Sequence, residues 1–65
     1  MRVMFKARKR TRGYDDQGRK LDLLPIGLLV HPTSFTETDV HIVDLTTGCE
    51  FVLNRKEFET NFERF

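Results

Sequence analysis

Val40-His41-Ile42-Val43-Asp44-Leu45-Thr46-Thr47-Gly48-Cys49-Glu50-Phe51-Val52-Leu53, followed at once by Asn54-Arg55-Lys56-Glu57, is the stretch in which strand period, turn chemistry and a helix cap agree. Two runs dense in β-branched and aromatic residues flank Thr46-Thr47-Gly48, so the segment reads as a β-hairpin. A three-residue loop with Gly48 in the left-handed region fits; it pairs Leu45 with Cys49, Val43 with Phe51 and His41 with Leu53. One face then carries almost only apolar groups, while Asp44 faces Glu50 on the other, a mildly unfavourable like-charge pair. A two-residue Thr47-Gly48 turn is rejected, because it sets Asp44 against Phe51 and forces a β-branched residue to positive φ. Val40, Ile42 and Val52 lie on the second face, so both sides have apolar groups to bury and the sheet is expected to curl.

Asn54 with Glu57 three residues on has the form of a capping box, which starts a helix at Arg55 and carries it over 54–64. Phe58, Phe62 and Phe65 recur at spacings of four and three, placing their rings on one stripe. That stripe is expected to lie on the sheet as a lid.

Working outward, Met1 to Arg12 alternates as a strand with a basic outer face, and Arg12 to Arg19 is turn chemistry that closes a hairpin. Pro25 and Gly27 predict an irregular approach over Leu21 to Gly27, then a strand at Leu28 to His31 that Pro32 ends. Residues 33–39 form a polar connection with Phe35 in its middle, expected to tuck against the barrel mouth. A chain of 65 residues allows one domain, 1–65. Within it lie a basic N-terminal strand and hairpin (1–20), a barrel core (21–53) and a C-terminal helix (54–64). The fold expected is mainly β (α+β): a small antiparallel barrel of four or five short strands with a short C-terminal helix. At fold level Leu24-Pro25-Ile26-Gly27-Leu28-Leu29-Val30, followed by a hairpin and short helix, resembles an SH3-like barrel over roughly residues 20 to 60. The resemblance implies a binding scaffold and assigns no activity.

The residues offer little catalysis. Cys49, His31 and His41 stand in separate strands without metal-ligand spacing, and the glycines form neither a dinucleotide fingerprint nor a P-loop. Cys49 is read as a small buried hydrophobe, His31 as a solvated strand end, and Asp15 and Asp16 as turn formers. No enzyme activity and no cofactor are expected. No apolar run approaches a membrane span, no apolar h-region follows the N-terminal cations, and one cysteine makes no internal disulfide, so a cytoplasmic setting is expected.

Charge is the informative feature. Residues 1–20 hold eight Lys or Arg against two Asp, +6, while residues 21–65 hold three bases against eight acids, −5, which gives the net +1. Lys6, Arg8, Lys9, Arg10 and Arg12, with Arg19 and Lys20 returning across the hairpin and Tyr14 near its tip, are expected to form a basic ribbon. Such cations neutralise phosphates and a ring stacks on an unpaired base, so the first expectation is a non-enzymatic module binding a nucleic-acid backbone. The alternative is a protein-binding inhibitor or adaptor, of the kind phages and mobile elements encode, whose ribbon, Tyr14 and Phe35 dock on an acidic protein surface. A third reading makes the ribbon a solvated edge strand whose charges prevent edge-to-edge pairing.

Overall fold

The computed structural model describes residues 3–65. Its elements are β1 (Phe5–Ala7), β2 (Thr11–Tyr14), β3 (Lys20–Leu24), β4 (Leu29–Phe35), β5 (Asp39–Asp44), β6 (Glu50–Asn54), α1 (Arg55–Asn61) and β7 (Phe62–Arg64). The strands form one seven-stranded sheet in the order β3-β2-β6-β5-β4-β1-β7, with every pair antiparallel. It is a curled half-barrel with more strands than the four or five expected, because both termini of the chain contribute. Phe62–Arg64 is a strand on β1 and not a last helical turn. The basic N-terminal run is two strands, β1 and β2, not one.

The inner face is set by period two. Val40 and Ile42 of β5, Leu53 of β6 and Val30 of β4 point inward and are at most 1 % exposed. Ala7, Leu24, Phe58 and Phe62 complete the core, with Phe5, Leu28 and Phe51 packed against it. α1 begins where its cap predicts: the Glu57 amide donates to Asn54 Oδ1 at 3.1 Å, and among the described residues only this half of the capping box forms. The Phe58 ring meets Phe5 edge-on at 5.0 Å and stacks on Phe62 at 5.2 Å, which is the expected lid. Phe65 leaves the stripe and is exposed.

The β5–β6 register differs from the expected one by a single residue. Ile42 pairs with Phe51, Val43 with Glu50 and His41 with Val52. The loop has four residues, 45–48: the Gly48 amide donates to Asp44 O and the Asp44 amide to Cys49 O, both at 2.8 Å. Gly48 takes the left-handed conformation, φ 78°. Asp44 decides the loop length, since its buried carboxylate accepts from the Thr46 amide at 2.8 Å and so favours a wider turn. The slip turns β5 over relative to β6: Val40 and Ile42 face the core together with Phe51 and Leu53, which keep the side expected of them. Asp44 therefore does not oppose Glu50 and His41 points outward, while Cys49, on the same side of the chain as Phe51, is exposed instead of buried because it lies at the loop end before β6 begins.

Two further corrections concern β3 and β4. Lys20–Leu24 pairs with β2 as an edge strand, with a register shift between Arg12 and Tyr14, so the segment without strand pairing shrinks to the Pro25–Gly27 turn. β4 runs through Pro32, which opposes Ile42, and the register shifts between Pro32 and Ser34. Among the described residues β1 pairs β4 at Leu29 and Val30 only, so Pro32 lies beyond that ladder, where a missing N–H is tolerated. His31 is half-buried within the strand, its Nδ1 2.6 Å from Val3 O, and is not a solvated end.

Candidate functional site

Ala7 is a small inward-facing residue, and the three long cations after it have no place in an apolar core, so the chain leaves the sheet and returns at Thr11. Arg8-Lys9-Arg10 is thus an exposed bend between β1 and β2. Its backbone is held on both sides. The Arg8 amide donates to Asn61 O at 2.6 Å, and the Gly27 amide donates to Ala7 O at 2.8 Å. Thr11, 1 % exposed, donates from Oγ1 to Lys9 O and accepts from Asn61 Nδ2 at 3.1 Å. The side chains of Arg8, Lys9 and Arg10 make no hydrogen bond or ion pair to any other described residue.

The remaining ribbon residues do not join this bend as one surface. Arg12 is half-buried and its Nη1 donates to Leu21 O across the β2–β3 hairpin. Arg19 Nε is 2.8 Å from Asp15 Oδ2 within the hairpin turn. The Arg19 backbone N–H is the largest influence holding the Asp15 carboxyl below its ordinary value, with the Arg19 guanidinium and the Gln17 N–H adding to it. Lys20 is exposed at the start of β3, and the Lys6 ammonium lies 5.4 Å from the Phe65 ring centroid. Phe35, 50 % exposed, rests edge-on against Phe58 at 5.9 Å beneath the Arg55 guanidinium, so one side is tucked in and the other is free.

Tyr14 lies elsewhere. It pairs with Val52, Val52 with His41 and His41 with Ser34, which makes an outward-facing row across β2, β6, β5 and β4. The hairpin turn beside this row frames two adjoining recesses of about 370 and 150 Å³ that share Asp16, His41 and Val52. Asp15, Asp16, Asp39 and Glu50 line this groove, and His41 is its sole lining residue able to carry positive charge. Sequence reading missed it, because the groove joins residues 14–18, 39–42 and 50–54 only through the β2–β6 pairing, and the misplaced register had turned His41 inward.

The bend and the groove are at opposite ends of α1. Asn54, its cap, lines the groove, while Asn61, its last residue, holds the bend. Seven residues of helix separate them by about 10 Å. Among the described residues no three His, Cys, Asp or Glu are placed to hold a metal ion, and no helix is long and apolar enough to cross a membrane. In comparisons with protein families, with curated proteins and with solved structures, nothing matches this chain.

Proposed function

We propose that this chain is a non-enzymatic binding module on an SH3-like scaffold that grips a nucleic-acid backbone with the Arg8-Lys9-Arg10 bend. The observation that carries the reading is the bend itself: three adjacent cations with free side chains on a backbone tied to Asn61 and Thr11. A fixed backbone lowers the entropy lost when the side chains engage phosphates. Asp15, Asp16, Asp39 and Glu50 lie at the far end of α1, which favours approach of a polyanion at the bend. The scaffold reading is supported by the order β7-β1-β4-β5-β6, with the β2–β3 hairpin packed beside β6.

Binding by this bend is sequence-independent and salt-sensitive, with a log–log slope near −3 for about three phosphate contacts. The combined variant Arg8→Ala, Lys9→Ala, Arg10→Ala removes binding to unrelated oligonucleotides and flattens the slope, measured by fluorescence anisotropy. Arg12→Ala leaves the slope unchanged, since that side chain is engaged with Leu21. Equal binding by the triple variant contradicts the proposal.

One observation favours the second reading, docking on an acidic protein surface. Leu23 and Ile26, 48 % and 65 % exposed, flank the bend through β3 and the Pro25–Gly27 turn, and apolar neighbours suit a protein better than a phosphate chain. A stoichiometric protein partner that survives nuclease treatment of a lysate, and that Ile26→Ser releases, selects that reading.

A further inference from the structure

The bend and the groove are complementary in charge and in number. Arg8, Lys9 and Arg10 project unpaired at one end, and Asp16, Asp39 and Glu50 line the other without a salt bridge to any described residue. The fourth lining carboxylate, Asp15, is already matched by Arg19. Tyr14 and Val52 line the same groove and accommodate the aliphatic stems of Arg and Lys, with a guanidinium able to lie over the ring. One molecule cannot satisfy its own groove, because the length of α1 stands between the two surfaces. At net charge +1 two copies scarcely repel as whole bodies, so attraction between unlike ends dominates their encounter.

We propose that the groove receives the Arg8-Lys9-Arg10 bend of a second copy of this chain. The contact is heterologous, one surface meeting a different one, so it propagates head to tail: each added copy uses one surface and presents the other, and the assembly always ends in one free bend and one free groove. It is built from exposed charges, so it is weak and disappears with salt. This inference uses the bend but does not rest on its binding phosphate. If nucleic acid also occupies the bend, the two ligands compete and an oligonucleotide disperses the assembly.

The test is sedimentation velocity at about 1 mM chain in about 20 mM salt, where the Debye length is about 20 Å, against 0.5 M salt, where it is about 4 Å. The wild-type chain forms species larger than dimers at low salt and is monomeric at high salt. Two variants each lose one surface: a bend variant (Arg8→Ala, Lys9→Ala, Arg10→Ala) and a groove variant (Asp16→Asn, Glu50→Gln), the latter at two exposed carboxylates without hydrogen bonds to described side chains. Unchanged amide spectra certify that both fold. Each alone associates about tenfold more weakly than wild type, as expected for two or more rim charges lost. Their equimolar mixture forms a dimer and stops there, because it holds one intact bend and one intact groove. A monomeric wild type at low salt, a wild type that halts at the dimer, or a mixture that fails to associate overturns the proposal.

Discussion

Cys49 shows how much the end of a strand decides. In the expected pairing it faced the core; in the structure it is exposed next to the Gly48 loop, held by its amide to Thr47 Oγ1 at 3.2 Å. A thiol reagent should therefore react with the native protein nearly as fast as with the urea-unfolded chain, and Cys49→Ser should change stability by less than about 0.5 kcal/mol. Native-state protection of the thiol contradicts its placement at the exposed loop end. Phe58 is the opposite case, 3 % exposed and touching Phe5, Phe35 and Phe62. Phe58→Ala should cost about 3–5 kcal/mol, comparable to the whole stability of a domain this small, so chemical denaturation should find it largely unfolded. Asp15 gives a pH signature. Its folded pKa lies below the ordinary 3.8, so its contribution is present above that value and is lost as pH falls through the lowered folded pKa. A carboxyl-carbon titration should place its midpoint below 3.8 in the native protein, and Arg19→Pro, which removes the backbone N–H, should raise it.

At the scale of elements, local signals were legible and pairings less so. The cap at Asn54, the left-handed Gly48 and the ring stripe at Phe58 and Phe62 depend on neighbours in sequence, and the structure has all of them. The β5–β6 register depends on whether the loop holds three residues or four, and the Asp44 carboxylate that selects four acts through hydrogen bonds rather than hydropathy. The end of α1 was misjudged for a related reason: Phe62 and Glu63 suit a helix locally, but pairing with Ala7 and Lys6 claims them for β7. Of the candidate site, the Arg8-Lys9-Arg10 cluster was visible as a charge run. Its separation from Tyr14 and the acidic groove were not, since both arise from strand order. Two substitutions probe these elements. Asn54→Ala should cost about 1 kcal/mol by removing the acceptor for the Glu57 amide. Gly48→Ala meets no atom within 4 Å, so its expected loss of about 1 kcal/mol is backbone strain alone, read as a shift in the urea midpoint with an unchanged slope.

At the scale of the molecule, the sequence's charge division is not a division of the surface: Glu63 pairs with Lys6 beside the bend, and Asp15 and Asp16 of the basic half line the groove. Arg12 and Arg19, counted among the ribbon cations, are engaged in hairpin bonds, and Tyr14 sits among carboxylates. The phosphate contact we propose is the bend beside Asn61. The most direct test of this account is amide chemical-shift mapping with a short mixed-sequence DNA duplex, at a chain concentration low enough that the free protein sediments as a monomer. The account predicts shifts centred on Arg8, Lys9 and Arg10, extending to Asn61 and Gly27, while Tyr14, His41 and Val52 stay still. Shifts centred on Tyr14, His41 and Val52, or no shift at any residue, contradict it.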